Sequence, residues 1–349
     1  MHMADALLSP AVAATMYAAT AVTVGASVKT LRKDVAAEKL PTMAVTSALV
    51  FAGQMINYTI PGTGSSGHLC GGMLLSALLG PQAGFLSMVV ILTIQCLFFA
   101  DGGLMALGAN CWNMAFYGCF VGYYLIWRPI LRSSLFGTAK SAMRGKIALA
   151  SILGCVITLQ LGAFSVVLET SLSGITELPF GAFVGIMQPI HLAIGLVEGL
   201  ITSAVLVFVY EARPELLPDG KASPAQGKLS RRGTLAVLAA VVILVGGGLS
   251  LFASPNPDGL EWSLFGNADS GYTENLGLDE ENYGLHSAAS DAAASIQEKT
   301  AFLPDYGFPE SDSAAGTTVS GLVGSAIVAG AAVLICLIGG FFRKKNAAE

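Results

Sequence analysis

Apolar runs long enough to cross a bilayer recur along the chain, separated by short polar stretches. They fall at about 8–28, 42–60, 85–100, 104–127, 147–168, 182–210, 233–252 and 318–342. A ninth run near 68–80, HLCGGMLLSALLG, is too short to count on length alone. Parity brings it in, because without it the basic loops alternate between the two sides of the membrane. With nine crossings and the N-terminus outside, seventeen of the eighteen Lys and Arg residues lie inside and only Lys299 lies outside. The inside clusters are Lys29 to Lys39, Arg128 to Lys146, Arg213 to Arg232, and Arg343 to Lys345 at the end.

This pattern predicts an all-α polytopic membrane protein, a seven-helix bundle plus a C-terminal two-helix hairpin with a long outer loop. The expected units are a seven-span domain over 1–212, a cytoplasmic linker over 213–232, and the hairpin over 233–349. The expected localisation is multi-pass in the plasma membrane, N-terminus outside and C-terminus cytoplasmic, with lipid as solvent. Composition agrees: 54% of residues are hydrophobic and 12% charged, against roughly a quarter charged in soluble domains. Forty-one glycines suit close helix contacts in lipid. Six cysteines lie in or beside apolar runs without a CxxC pair and read as small buried residues. The outer loop, 253–316, carries twelve acidic residues against one Lys, and its Pro, Ser, Asp and Asn content predicts weak or partial order. It reads either as a solvated loop or as a region that concentrates cations.

Several chemistries are missing. There is no GxxxxGK(S/T), no GxSxG and no HExxH. The chain does not read as an enzyme, nucleic acid is not an expected partner, and energy must come from a partner or an ion gradient.

The candidate chemistry starts at MHMADALLSP. No basic residue precedes Lys29, so the opening does not read as a secretory signal. In Met1-His2 the terminal amine, the His2 amide and the His2 imidazole form fused chelate rings around one metal. Cu(II) and Ni(II) favour such square-planar nitrogen ligation. His68, in the Gly/Ser-rich loop PGTGSSGHLCGG, is the candidate for the open fourth position. Proton competition predicts affinity falling below the ordinary histidine value of about 6.5. His191 and Glu198 lie seven residues apart on one helix face; they read equally as a structural contact or as a coupling pair. Asp101 is either part of a tight turn or a hydrogen-bond acceptor supporting the site. His286 reads as solvated.

The segments MHMADALLSP, FAGQMINYTIPGTGSSGHLCGG, ADGGLMALGANCWNM and HLAIGLVEG resemble the substrate-capture subunit of nickel/cobalt energy-coupling-factor transporters. SPNPDGLEW resembles the PDGLE domain, a two-helix companion subunit found separate or fused. The resemblance implies a metal site from Met1, His2 and His68, and partners comprising a transmembrane coupling subunit and two cytoplasmic ATPases. It leans to Ni(II) as substrate, with Co(II) as the alternative and no bound cofactor. A secondary metal permease using His191 and Glu198 as an ion relay, and a metal sensor or scaffold, remain as rivals.

Overall fold

The computed structural model describes every residue except 35–39, 135–136, 138–139, 176, 218–227, 274–275, 277, 280–282, 310, 312 and 347–349. Lys39 and Lys221, half of the linker, and Glu274, Glu280, Glu281, Glu310 and Asp312 of the acidic loop lie outside the described residues.

The protein is mostly helical. α1 (Pro10–Asp34) leads to α2 (Leu40–Gln54), then to a hairpin of β1 (Tyr58–Ile60) and β2 (Ser65–Gly67). α3 (Gly72–Leu79) and α4 (Pro81–Phe99) follow. α5 (Leu107–Asn110) continues into a π-helical stretch, Cys111–Trp127, and α6 (Arg128–Arg132). The long helices α7 (Lys140–Leu172) and α8 (Phe180–Ala212) complete the first unit. α9 (Arg231–Gly247) and α12 (Ala315–Asn346) form the later pair. Between them lie α10 (Gly259–Phe265), a hairpin of β3 (Gly266–Asn267) and β4 (Tyr272–Thr273), and α11 (Ala288–Thr300).

Among the described residues five helical segments are long and apolar enough to span a membrane. They are Pro10–Leu31, Pro81–Phe99, Ala142–Leu172, Phe180–Ala212 and Ala315–Leu334. Leu192, Leu196 and Leu200 leave an apolar stripe exposed along α8, as a lipid-facing helix requires. The chain is a multi-pass membrane protein.

Two expectations change in detail. The run at 68–80 yields an eight-residue helix, α3, wholly buried; at 1.5 Å per residue it is about 12 Å long, against a hydrocarbon core of about 30 Å. The run at 42–60 ends its helix at Gln54 because β1 begins at Tyr58.

Glycine sets the closest helix contacts. Gly195 and Gly199 of α8 face the backbone of α7, where a Cβ on Gly199 would lie 2.6 Å from Ile152 Cα. Gly246 and Gly321 bring α9 and α12 together, where a Cβ on Gly321 would lie 2.0 Å from the Gly246 carbonyl oxygen. Gly324 of α12 packs on Phe51 of α2, seating the later pair on the first unit. Arg144 and Lys228 gather on Glu211, at 2.8 and 3.4 Å, in the last turn of α8.

Weak or partial order was expected of the acidic outer segment; its described residues form capped helices and fixed hydrogen bonds. Asp258 and Glu261 cap α10 reciprocally, and Ser287 caps α11. The segment is laced to the β1–β2 hairpin: Ser66 N–H donates to Pro257 O at 2.8 Å, and Ser254 N–H to Asn57 O at 2.7 Å. Asn267 Nδ2 donates to Gly64 O at 2.7 Å. These backbone partners add to the burial of Leu260, Leu264 and Leu303 in the common core.

Candidate metal centre

The N-terminal peptide threads into the bundle. Met3, Leu7 and Leu8 are fully buried. Asp5 accepts from Ala106 N–H at 2.9 Å, and Gly103 must be small, because a Cβ there would lie 1.8 Å from Asp5 Oδ1. Met3 N–H donates to Asn110 Oδ1 at 2.8 Å; Met3 O accepts from Asn110 Nδ2 at 3.2 Å and from Gly103 N–H at 2.9 Å. The Met1 side chain enters the bundle beside Gly162 of α7, where a Cβ would lie 3.1 Å from Met1 Cε.

The terminal ammonium donates to Asp258 Oδ2 at 2.8 Å, with the two side chains only 5% and 17% exposed. Asp258 Oδ1 meanwhile accepts from Leu260 and Glu261 N–H at 2.7 and 3.0 Å. One carboxylate therefore caps α10 and holds the amine.

His68 follows β2 directly. Its Nδ1 lies 3.0 Å from Leu69 O; as donor there, it leaves Nε2 as the lone-pair nitrogen. The His2 ring stacks on the His68 ring, centroids 5.3 Å apart and planes 24° from parallel. His2 Nδ1 lies 3.1 Å from Asp101 Oδ1, and the Tyr306 hydroxyl donates to Asp101 Oδ2 at 2.5 Å. The structure thus brings Met1, His2, His68 and Asp101 together.

His191 and Glu198 sit deeper. Glu198 accepts from the N–H groups of Cys70 and Gly71, both at 2.9 Å, and so anchors the start of α3 just after His68. His191 Nδ1 pairs with Met187 O at 2.8 Å, and the ring packs under Gly259 of α10. A void of about 10 Å³ is lined by Met1, His68, Cys70, His191 and Asp258 among others. Above it, a cavity of about 830 Å³ is lined by His2, His68, Asp101, Asp258, Glu261 and Tyr306 among others. His286 is exposed, as expected.

Burial disfavours the charge on the Met1 amine, but the Asp258 carboxylate outweighs it and holds the amine above its ordinary value. Burial, opposed by Asp101, pushes His2 below the ordinary imidazole value. Burial pushes His68 down to about 4, so its imidazole is neutral at pH 6.5 and is not the group that competes for protons there. Burial opposes ionisation of Asp258, but the ammonium wins and holds its carboxyl well below the usual range. The like charge of Asp258, then burial, pushes Glu261 up to about 7. Among the described residues no three His, Cys, Asp or Glu side chains form a metal-holding group.

Sequence reasoning missed Asp258, Asn110 and Tyr306 as parts of this centre. Only Asp258 carried a local signal, the acidic pair three residues apart at a helix start; the partners of Asn110 and Tyr306 lie more than a hundred residues away.

The family described as the cobalt uptake substrate-specific transmembrane region matches residues 2–216, and the PDGLE domain matches residues 232–339. The chain belongs to that cobalt-uptake family, the substrate-capture components of energy-coupling-factor transporters, and carries its PDGLE domain fused behind it. It is 37% identical to a chain of Archaeoglobus fulgidus named as a fused nickel transport protein, over 94% of this chain and 95% of the relative. It is 31% identical to the fused nickel transport protein of Rhodobacter capsulatus, over 71% and 74% of the two chains. A cobalt transport protein of Sorangium cellulosum is 33% identical over 51% of this chain and 76% of its own. A crystal structure described as a truncated transition metal transporter superposes with a TM-score of 0.52 at 33% identity. It covers 60% of this chain and 99% of its own.

Proposed function

We propose that this chain captures Ni(II) at the outer face of the plasma membrane and hands it to an ATP-driven importer. The observation that carries the reading is the convergence of the Met1 amine, the His2 residue and the His68 ring in one buried centre. The ligands are the amine, the deprotonated His2 amide, His2 Nδ1 and His68 Nε2, with Asp101 supporting His2. In the structure His2 Nδ1 faces Asp101 and Nε2 is buried. A half-turn of the ring brings Nδ1 to the metal and gives Nε2–H to Asp101, the pairing that orients a ligating imidazole. Glu198 and His191 shape the loop and floor rather than ligate.

The reading places residues 1–212 as the capture domain, 213–232 as a cytoplasmic linker and 233–349 as the companion hairpin, with the N-terminus outside and the C-terminus inside. The N-terminus, the His68 hairpin and the acidic segment gather at one end of the bundle, which supports that topology. The partners are a transmembrane coupling subunit and two cytoplasmic ATPases. A four-nitrogen plane with one deprotonated amide favours low-spin Ni(II).

The test is a Ni(II) titration of the full chain with its native N-terminus, beside one acetylated at Met1. Acetylation removes a ligand and should abolish tight binding; equal affinity would refute the chelate. Tighter binding of Co(II) than Ni(II) by the native protein would move the substrate to cobalt. Uptake that survives ATP depletion but collapses with an uncoupler would favour the secondary permease.

A further inference from the structure

We infer that Asn110 is a positioning residue that sets the register of the N-terminal peptide, so that two residues and no more extend from it into the metal centre. This rests on the Met-His chelate reading. Asn110 is 2% exposed and sits at the end of α5. It spends both halves of its amide on one residue, accepting from Met3 N–H and donating to Met3 O. That two-point pairing recognises backbone and not side chain, so it fixes position along the chain. Gly103 N–H adds a second bond on Met3 O, and Asp5 on Ala106 N–H secures the chain two residues further. The buried side chains of Met3, Leu7 and Leu8 oppose sliding by one residue.

Past Met3 the remaining two residues reach about 7 Å at full extension. That short reach carries the amine to Asp258 and the His2 ring to His68. The clamp also limits the donor set. Deprotonating the Met3 amide would forfeit its bond and strand the buried Asn110 oxygen, so of the His2 and Met3 amides it is that of His2 that is left to ligate.

The test uses the full chain in detergent, with Ni(II) titration and d–d absorption. Asn110→Ala loses two hydrogen bonds, and affinity should fall about 30-fold. The spectrum at saturation should stay that of four nitrogens, because every ligand remains. Asn110→Asp keeps the acceptor for Met3 N–H and loses the donor, and should fall in between. Thr20→Ala removes a buried bond onto Gly108 of the same segment, 2.9 Å long, without touching Met3; it should bind within threefold of the native protein.

Asn110→Ala within threefold of native, equal weakening by Thr20→Ala, or loss of the four-nitrogen spectrum each overturns the inference. Should Asn110→Ala fail to elute as a monodisperse fold, Asn110→Asp decides, and native affinity there overturns it. Acetylated native protein that still binds refutes the chelate itself. Acetylation that abolishes binding, with the Asn110 variants unaffected, refutes the clamp alone.

Discussion

The α7–α8 pair and the acidic segment between α9 and α12 are ordered by opposite means. α7 and α8 are apolar along their length and close on each other through Gly195 and Gly199, so each supplies the other's packing surface. The acidic segment has short helices, and its described residues bond to β1–β2, to α4 and to the N-terminus. Gln297 of α11 donates to Cys96 O and Gly102 O at 2.9 and 2.6 Å; Leu303 N–H donates to Phe98 O at 3.2 Å. A region rich in acidic groups can thus be structured where apolar side chains such as Leu260 and Leu264 join the core and its polar groups find fixed partners. The metal centre lies where the two modes of ordering meet, since its N-terminal peptide is packed like the bundle and paired like the acidic segment.

The largest expected effect sharpens that meeting point. On the proposed chelate, Ni(II) binding displaces one proton from the Met1 amine and one from the His2 amide. Asp258 holds the amine protonated above its ordinary value, while His68, at about 4, is already neutral. Affinity should therefore rise with pH, by about two decades per unit across neutrality, or about 10⁴-fold from pH 6 to 8. Titration by competition with a chelator reads this directly. A slope near zero would mean that amine and amide are not ligands.

Next comes a change to the bundle alone. Gly199→Leu pushes a side chain into the Ile152 backbone and should cost about 3 kcal/mol, read as an earlier thermal transition in detergent. The acidic segment should lose protection only when the whole fold does. Asp258→Ala reverses the pattern. It leaves the buried ammonium unpaired and uncaps α10, worth about 2 kcal/mol. Hydrogen exchange should quicken across 253–316 and residues 1–8 while α7 and α8 stay protected. Equal loosening of both regions would dissolve the distinction. The smallest effect belongs to Tyr306→Phe, which removes one hydrogen bond to Asp101 and keeps the ring stacked on Phe99, 4.8 Å away. It should weaken Ni(II) by less than tenfold, about 1 kcal/mol.

Hydropathy alone carried the helical class, because lipid demands long apolar helices and leaves their signature in every span. Met1 and His2 were legible as candidate donors, since the amine, amide and imidazole are adjacent in the chain and need no fold to meet, and the structure brings them beside His68. His68 was legible through its glycine-rich loop. Three things were not. The order of the acidic segment was hidden because composition does not show that Leu260, Leu264 and Leu303 join the common core or that its polar groups bond to distant backbone. The length of α3 was hidden because hydropathy does not see Gly71, whose φ of 84° sets where the helix starts. The supports of the centre were hidden because Asp258 meets Met1 across 257 residues, Tyr306 meets Asp101 across 205 and Asn110 meets Met3 across 107. The chemistry of the candidate donors is local and the chain states it, whereas their placement is a product of long-range packing that only the folded protein decides.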